Sequence, residues 1–403
     1  MNLMKKILLI VTIVFSFSII GLGYLLVSFT PPDHALYKES STKLPTDYLS
    51  FDAYIKLTKR WLSANREFVT NNKEQELLAN TPFEIKTNNK GELSRGIILV
   101  HGLGDSPYSF IDIANELSEQ GFQVRVLLLP GHGSKPADLI STTIEEWKNI
   151  INSQVAMFTK EVDHLYLGGF STGANLVTTL AIRDESIKGL ILFSPAFRHR
   201  SGVSKLSHLL NALNPWPFHK TKKANNFAKY DVVPNNAAVQ FNYTSEQVTE
   251  DLAIKFFDRP TFMVVSEKDN VIDTNQVLTL FEQRFTHPSS RLLWFGKDTQ
   301  SSDKRIIILD DYLPKSRISN FSHMSVLFAP NNNHYGINAN YRICDESSNS
   351  RIGRLCASKK EIWYSAFGYK EKDKIYARLT YNPWFTEMSS IIDTVFNNDD
   401  RSN

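Results

Sequence analysis

The sequence predicts an α/β fold, in which strands alternate with helices around one buried sheet. Three apolar runs with strand character support this prediction, at residues 94–100, 123–128 and 164–168. Each run leads into a glycine-containing loop, and the third continues through a tight turn into a helix-like segment at residues 174–182. An apolar fraction of 42% in a chain of 403 residues is enough for a sizeable core.

The segment Gly169-Phe-Ser-Thr-Gly173 joins the third strand to the helix that follows it. This order is typical of a nucleophile elbow, where a serine sits on a strained turn and the residues two before and two after it must be small. Gly169 and Gly173 meet that demand, which makes Ser171 the candidate nucleophile. Because the turn directs its hydroxyl at a helix N-terminus, the Thr172 N–H is expected to be one donor of an oxyanion hole.

The loop after the first strand, His101-Gly-Leu-Gly-Asp-Ser-Pro107, is the candidate source of a second donor. Acyl transfer needs two donors aimed at the tetrahedral oxyanion, and the loop after an early strand commonly provides one. We assign this role to the Leu103 N–H. An ordinary turn is the alternative, whereas a nucleotide-binding loop is disfavoured because the spacing fits neither the dinucleotide fingerprint nor the Walker sequence.

Three motifs, taken in this order, resemble the α/β-hydrolase superfamily: His101-Gly-Leu-Gly104, Leu129-Pro-Gly-His-Gly133 and the turn around Ser171. Over about residues 90 to 340, the chain is similar to the monoacylglycerol lipase and serine aminopeptidase-like group. The resemblance implies an α/β-hydrolase fold, which is a mostly parallel sheet with helices on both faces. It also implies a lid insertion and a catalytic triad in the chain order serine, aspartate, histidine.

The triad acid is expected in the carboxylate-rich turn that follows an apolar strand at residues 260–266. Asp269 is the candidate, because a carboxylate there would accept the imidazole N–H and fix its tautomer. Asp273 is one alternative, although a carboxylate at the start of the next helix has a structural explanation as a cap. Asp310 and Asp311 are further alternatives.

Two histidines after Asp269 are candidates for the triad base. His323 follows the last expected strand, at residues 317–321, where the resemblance places the catalytic histidine. His334 lies in an Asn-rich loop and is the alternative. His101 and His132 precede Ser171 and would break the chain order of the family, so we expect them to hold backbone carbonyls near the site.

Charge and residue spacing argue against two classes of partner. A formal net charge of +3 is close to balance, so nothing indicates a nucleic-acid partner. The sequence contains no His-x-x-x-His or Cys-x-x-Cys spacing, and two cysteines cannot form a thiolate zinc cage. We therefore expect neither a metal nor a cofactor.

A long apolar stretch runs from Ile7 to about Phe29, directly after Lys5 and Lys6. At 1.5 Å per residue it is long enough to cross a bilayer core of about 30 Å. We expect an uncleaved membrane anchor with a cytoplasmic N-terminus and the remaining chain in the periplasm or exterior. A cleaved signal peptide, which would release a secreted protein, is the alternative.

Cys344 and Cys356 are the only cysteines of the chain. A disulfide between them would close a short polar loop, which is compatible with a location outside the cytoplasm. Two free buried thiols are the alternative.

The expected organisation has three parts: an anchor or signal segment at 1–30, a helical or linker region at 31–90, and a catalytic domain at 91–397. The middle part contains an amphipathic helix candidate at 51–62, which packs on the core or lies on a membrane. The catalytic domain carries the lid, at about 197–249, and a cysteine-loop insertion, at about 336–382, before a final helix near 383–397. Apolar lid residues either line an acyl channel or form the lid's own core: Leu209, Leu210, Leu213, Trp216 and Phe218.

These features predict a membrane-anchored serine hydrolase that cleaves acyl esters through a Ser-His-Asp triad and an acyl-enzyme. Monoacylglycerols or lysophospholipids are the expected small substrates, because of the membrane location and the aromatic lid residues. A peptidase would use the same triad and would need a lid carboxylate, such as Asp231 or Glu246, to bind a free amino terminus. A non-catalytic envelope binding protein on the same fold is a third hypothesis.

Overall fold

The computed structural model describes residues 33–46, 48–87, 94–200, 204–217, 224–344, 350–358 and 361–400, with a few isolated residues before residue 22. Eight strands form the central sheet: β1 (Phe83–Ile85), β2 (Arg95–Val100), β3 (Phe122–Leu127), β4 (His164–Phe170), β5 (Ile187–Phe193), β6 (Thr261–Ser266), β7 (Arg291–Phe295) and β8 (Ile306–Leu309). Their order across the sheet is β1-β3-β2-β4-β5-β6-β7-β8. β1 runs antiparallel to β3, and the other neighbouring pairs are parallel. The predicted mostly parallel sheet is therefore confirmed.

Helices connect the strands and flank the sheet: α1 (Phe51–Asn65), α2 (Lys73–Asn80), α3 (Ile111–Glu119), α4 (Ile144–Phe158), α5 (Thr172–Arg183), α6 (Ser204–Leu213), α7 (Asn235–Ile254), α8 (Thr274–Arg284), α9 (Arg351–Ala357) and α10 (Phe385–Asp400). Side-chain caps define several of their starts. The Ser50 hydroxyl accepts the Ala53 N–H at the start of α1, and Thr143 and Glu146 form a capping box at the start of α4. These caps satisfy backbone N–H groups that a helix N-terminus otherwise leaves without partners.

Alternate residues of the central strands point to opposite faces of the sheet, and both faces are covered. One buried cluster contains Ile98, Leu167 and Leu192 with Trp147 of α4, Val177 of α5 and Val277 of α8. The cluster on the other face contains Leu99, Phe193 and Val264 with Ile113 of α3 and Met388 and Ile392 of α10. Burial of both faces explains why the strands read as continuous apolar runs in the sequence.

The helix predicted at residues 51–62 is α1, and its apolar face packs on the catalytic domain. Tyr54 is fully buried, and its hydroxyl donates to the Leu128 carbonyl over 2.8 Å, just after β3. Beyond α1, the buried side chains of Arg66 and Glu76 form an ion pair of 2.9 Å. Arg66 also donates to the Phe227 carbonyl over 2.7 Å. Of the two roles weighed for this helix, packing on the core is therefore the observed one.

The segment expected to be a lid, residues 197–249, contains α6 and most of α7. Leu209 and Leu213 of α6 are 56% and 65% exposed, whereas Trp216 is buried with its ring edge-on to Tyr37. Phe218 lies outside the described residues. The expectation that these apolar residues line a channel or form the lid's own core was therefore wrong for Leu209 and Leu213, because α6 turns them to solvent.

The second insertion, residues 336–382, contains α9 and a small parallel sheet of β9 (Trp363–Ser365) and β10 (Tyr376–Arg378). A disulfide joins Cys344 to Cys356, whose Cα atoms lie 6.1 Å apart. The Tyr364 N–H donates to the Arg317 carbonyl over 2.8 Å, and its carbonyl accepts the Ser319 N–H over 2.9 Å. The insertion is thus hydrogen-bonded to the segment that leads to His323.

Among the residues that the structure describes, no helix has both the length and the apolar character that crossing a membrane requires. The predicted anchor, residues 1–30, falls outside the described residues except for isolated positions. It therefore stays a prediction.

Candidate active site

Ser171 occupies the sharp turn between β4 and α5, with a φ of 53° and a ψ of −114°. A positive φ is strained for a residue with a side chain and is common at functional turns. A Cβ on Gly173 would lie 2.0 Å from the Val100 carbonyl oxygen, and one on Gly169 would lie 2.5 Å from the Gly173 carbonyl carbon. Because these neighbours are backbone atoms that cannot move aside, both positions require glycine.

The structure brings Ser171, His323 and Asp269 together at the carboxyl ends of the strands. His323 Nε2 lies 2.9 Å from Ser171 Oγ, and His323 Nδ1 lies 2.6 Å from Asp269 Oδ2. Serine, imidazole and carboxylate thus form one hydrogen-bonded chain, with the imidazole between the other two groups. This is the geometry in which a histidine takes a serine proton while an acid fixes its tautomer.

Asp269 is held firmly in this chain. Its side chain is fully buried, and its second oxygen, Oδ1, accepts the N–H groups of Val271 over 2.8 Å and Ile272 over 3.3 Å. The buried carboxylate therefore has partners on both oxygens, as a buried charge requires. These backbone donors also leave Oδ2 to face the imidazole.

The loop that carries His323 is tied to its surroundings on both sides of the histidine. Ser266 Oγ donates to the Phe321 carbonyl over 2.9 Å, and Ser322 Oγ donates to the Leu379 carbonyl over 2.6 Å. The His323 carbonyl accepts the Ser194 hydroxyl over 3.0 Å. The backbone around His323 is therefore held by β6, by the residue directly after β5 and by the second insertion. These contacts fix the place from which the His323 ring reaches Ser171.

The alternative acids have other contacts. Asp273 caps α8, accepting the Gln276 N–H over 3.1 Å, and forms an ion pair with Arg198. Asp310 accepts the Tyr312 N–H over 2.8 Å. Asp311 is buried, and this burial raises the pKa of its carboxyl to about 6.

The alternative base, His334, lies in an aromatic cluster. Its ring stacks on Tyr341 at 4.4 Å between centroids and lies 4.1 Å from that of Phe227, while its Nε2 is 3.2 Å from Asn226 Oδ1. Burial lowers the pKa of His334 to about 4. The structure thus gives this histidine a packing role within the second hydrophobic cluster.

His101 and His132 are fully buried beside each other, with their rings edge-on at 4.8 Å between centroids. His101 Nδ1 lies 2.8 Å from the Gly102 carbonyl oxygen, and Nε2 accepts the Leu129 N–H over 3.1 Å. His132 Nδ1 lies 3.1 Å from the Pro130 carbonyl oxygen, and burial lowers the pKa of His132 to about 4. His101 therefore links the loops after β2 and β3 through its ring nitrogens, and the ring of His132 packs against it.

The two expected oxyanion donors border the same cavity as Ser171. Thr172 is the first residue of α5, where an N–H has no acceptor within the helix. Within the described part of the chain, the Leu103 N–H donates to no backbone carbonyl. A Cβ on Gly102 would lie 3.3 Å from Ser171 Cβ, so this loop approaches the serine closely.

A cavity of about 320 Å³ opens at the candidate triad. The end of β4, the loops after β2, β4, β6 and β8, the segment 197–249 and the second insertion line it with these residues: Leu103, Phe170, Ser171, Thr172, His199, Ser207, Lys229, Ala238, Phe241, Asn242, Asn270, Val271, Ser322, His323, Met324, Phe367 and Arg378. Asp231 and Glu246, the lid carboxylates considered for an amino terminus, are not among them.

Sequence reasoning did not identify Lys229, Phe367 or Arg378 as site residues. Phe367 reaches the site because its carbonyl accepts the Asn270 side-chain amide, immediately after Asp269. No local motif surrounds these three residues, so no sequence signal marks them. In the described part of the chain, no cluster of three or more His, Cys, Asp or Glu residues could hold a metal ion.

The fold and this geometry together define an α/β-hydrolase. The family profile described as serine aminopeptidase, S33, matches residues 91–292, and the chain belongs to this family. The resemblance to the monoacylglycerol lipase and serine aminopeptidase-like group is thereby confirmed.

Individual relatives are more distant. The thermostable monoacylglycerol lipase of Bacillus sp. (strain H-257) is 23% identical over 196 residues, which cover 46% of this chain and 75% of the relative. Among solved structures, Paleococcus ferrophilus monoacylglycerol lipase is 21% identical with a TM-score of 0.44, over 53% of this chain and 87% of that one. A chain from work on the metagenome-derived lipolytic enzymes LipS and LipT is 22% identical with a TM-score of 0.45, over 54% and 87%.

Proposed function

We propose that this protein is a serine hydrolase that cleaves carboxylic esters through an acyl-enzyme. The observation that carries the proposal is the hydrogen-bonded chain from Ser171 Oγ through the His323 ring to Asp269. Its components are the nucleophile, general base and orienting acid that acyl transfer requires.

In the proposed first step, Ser171 Oγ attacks the ester carbonyl carbon while His323 Nε2 takes the hydroxyl proton. Asp269 stabilises the imidazolium through Nδ1–H, and the N–H groups of Leu103 and Thr172 hold the carbonyl oxygen as its negative charge develops. Collapse of the tetrahedral intermediate breaks the bond to the leaving alcohol, which takes the proton from His323. A water molecule, deprotonated by the same histidine, then attacks the acyl-enzyme and releases the acid.

The cavity supports an ester with an acyl chain as the substrate. Leu103, Phe241, Met324 and Phe367 give it apolar walls beside Ser171. The curated relative is named a thermostable monoacylglycerol lipase, which agrees with a lipid-type ester. The peptidase alternative has less support, because the lid carboxylates Asp231 and Glu246 do not line the cavity.

We also propose that residues 7–29 anchor the protein in a membrane, with the catalytic domain in the periplasm or exterior. The disulfide between Cys344 and Cys356 supports this location, because disulfides persist in oxidising compartments. We expect the chain to remain with membranes after an alkaline wash and protease to degrade the catalytic domain in cells with a permeabilised outer envelope. Release of the full-length chain by the wash would contradict the anchor.

The test of the chemistry is labelling of the purified protein with a fluorophosphonate probe, which reacts with an activated serine. We expect wild type to be labelled and both Ser171→Ala and His323→Ala to lose labelling. His334→Asn is the matched control, because it removes the other candidate histidine, and it should keep labelling. A folded wild-type protein that is not labelled would refute the proposal and favour the binding-protein hypothesis.

The ester preference has its own test. We expect hydrolysis of long-chain acyl esters to exceed that of acetyl esters and no hydrolysis of aminoacyl amides. Equal turnover of short and long acyl chains would remove the basis for a lipid substrate, and activity on aminoacyl amides alone would establish the peptidase alternative.

A further inference from the structure

Residues 226–230, which we call the strap, connect the N-terminal region to the loop that carries the proposed oxyanion donor Leu103. The strap belongs to the segment expected to be a lid and contains no helix or strand. Its buried backbone groups must therefore find their partners in other segments. It is hydrogen-bonded on one side to residues of the region 31–90 and on the other to the loop after β2.

On the N-terminal side, the Phe227 carbonyl accepts hydrogen bonds from two side chains. Its oxygen lies 2.7 Å from Arg66 Nη2 and 2.8 Å from Asn80 Nδ2. Arg66 is paired with Glu76, and Asn80 Nδ2 also donates to the Glu76 carbonyl over 2.7 Å. Because all three side chains are buried, bulk water does not compete for these bonds. The strap is thus fixed to the start and the end of α2.

On the other side, the strap runs along the loop after β2. The Tyr230 N–H donates to the Gly104 carbonyl over 2.7 Å. The Ser106 hydroxyl donates to the Ala228 carbonyl over 2.7 Å, and both of these residues are buried. The strap and the loop therefore hold each other at two points, one on each side of Asp105.

These contacts reach the peptide group that carries the oxyanion donor. The Asp105 N–H donates to the Gly102 carbonyl over 3.2 Å, and the Asp105 side chain pairs with Lys229 of the strap over 3.5 Å. The Gly102 carbonyl and the Leu103 N–H belong to one planar peptide group and point in opposite directions. A shift of residues 104–106 therefore changes the direction in which the Leu103 N–H points.

We propose that Arg66 and Asn80 are positioning residues for the oxyanion hole and that they act through the strap. Their bonds to the Phe227 carbonyl fix residues 228–230, which in turn fix the loop from which Leu103 donates. Loss of one oxyanion donor costs about 10² to 10³ in kcat, and a misplacement of about 1 Å in an active site costs about 10². This inference rests on the proposed ester hydrolase function and assigns a part in it to the N-terminal region.

The first test is Asn80→Ala in the full-length protein, kept in neutral detergent. The variant loses one of the two donors to the Phe227 carbonyl and keeps the ion pair of Arg66 with Glu76. Hydrolysis of a chromogenic octanoyl ester is measured per active site, counted by complete fluorophosphonate labelling, so that unfolded protein does not lower the rate. We expect kcat to fall about tenfold and KM to change by less than about twofold, because the oxyanion develops only in the transition state.

Asn236→Ala is the matched control. Asn236 is also a buried asparagine whose Nδ2 donates to two backbone carbonyls, those of Leu139 over 2.9 Å and Thr142 over 2.8 Å. It does not line the cavity. We expect the two variants to lose similar stability, whereas kcat of the control stays within about twofold of wild type.

A transition-state analogue distinguishes positioning from folding. Ser171 Oγ attacks the carbonyl carbon of an octyl trifluoromethyl ketone, the hydroxyl proton passes to His323, and the ketone oxygen becomes an alkoxide that the oxyanion donors hold. Its inhibition constant should rise about tenfold in Asn80→Ala and change by less than about twofold in Asn236→Ala.

Two more variants follow the same path. Arg66→Lys keeps a charge beside Glu76, but an ammonium group lacks the fork with which Arg66 binds Glu76 and the Phe227 carbonyl together. Ser106→Ala removes the bond between the loop and the strap directly. We expect each to lower kcat about tenfold. If Asn80 and Ser106 act through one strap, the double variant should lose far less than the roughly hundredfold that independent effects would give.

The outcomes keep the two proposals apart. An active wild type with kcat unchanged in Asn80→Ala and Arg66→Lys, or lowered equally in Asn236→Ala, would overturn the positioning role and leave the hydrolase intact. A fall in kcat without a matching rise in the inhibition constant of the ketone, or independent effects in the double variant, would also overturn it. If Asn80→Ala did not fold, Arg66→Lys and Ser106→Ala would decide by the same measurements. A wild type that neither hydrolyses the ester nor is labelled would refute the proposed function and this inference with it.

Discussion

Replacement of Asp269 by asparagine isolates the role of the carboxylate, because the two side chains have nearly the same shape. Oδ1 of Asp269 accepts the N–H groups of Val271 and Ile272, so the amide oxygen of the variant is expected to take that place. The amide nitrogen of the variant then takes the position of Oδ2, which in the wild type lies 2.6 Å from His323 Nδ1. Since this nitrogen donates, Nδ1 must accept, and the imidazole proton moves to Nε2.

A histidine protonated on Nε2 cannot take the proton of Ser171. We therefore expect Asp269→Asn to lower kcat by about 10⁴, which is the effect of the wrong tautomer in serine hydrolases with this triad. This loss corresponds to about 5.5 kcal/mol of transition-state stabilisation. The assay is hydrolysis of a chromogenic octanoyl ester, with folding checked by circular dichroism.

Asp273→Asn is the matched control, four residues along the same loop. Asparagine caps a helix as well as aspartate does, so this variant keeps the cap of α8 and loses only the ion pair with the exposed Arg198. We expect it to cost less than about 1 kcal/mol of unfolding free energy while kcat stays within about threefold of wild type. If folded Asp269→Asn kept about a tenth or more of wild-type kcat, or if Asp273→Asn lost as much, the assignment of the acid would be refuted.

Three further predictions concern stability. Gly173→Ala should cost at least about 3 kcal/mol of unfolding free energy, because its Cβ would lie 2.0 Å from a backbone oxygen of β2; a melting temperature within a few degrees of wild type would contradict this. Reduction of the disulfide at Cys344 should lower stability by about 3 kcal/mol and also lower activity, because the insertion holds the His323 loop; unchanged activity after verified reduction would argue against that coupling. Burial lowers the pKa of His132 and His334 to about 4. As the pH falls from about 6.5 to about 4, these histidines take up protons in the unfolded chain but stay neutral in the folded one. The free energy of unfolding, measured with urea, should therefore fall by up to about 3 kcal/mol per histidine over this pH range. His334→Asn should show a shallower fall, and an unchanged profile would refute its share.

The sequence predicted the parts of the molecule that depend on local backbone geometry. A strand that passes through a strained turn into a helix needs glycine at two positions around the serine, and the structure shows why: both Cβ atoms would meet backbone. The helix at residues 51–62 was predicted from its apolar spacing, because a repeat close to 3.6 residues places one face on the core.

Ser171, Asp269 and His323 were selected by motif, chain order and position after expected strands, and the structure places them in one hydrogen-bonded chain. For His323 the selection rested on the family resemblance, because residues 317–321, expected as a strand, form none and β8 ends at Leu309. For Ser171 and Asp269 it was possible because parallel strands bring their carboxyl ends to the same edge of the sheet. Distant positions in the chain therefore become neighbours by a rule that needs no knowledge of side-chain packing.

The walls of the cavity follow no such rule. Leu209 and Leu213, in the segment expected to be a lid, were expected to line a channel or to form the lid's own core, but both are exposed. The orientation of a short amphipathic helix is set by what it packs against. Lys229 and Arg378 line the cavity from two insertions, which are hydrogen-bonded to the loops around Leu103 and Asp269 through Ala228, Tyr230 and Phe367. The sequence by itself thus determined the fold class and the candidate reacting groups, whereas the charge and shape of the surface around them were decided by tertiary contacts between segments distant in the chain.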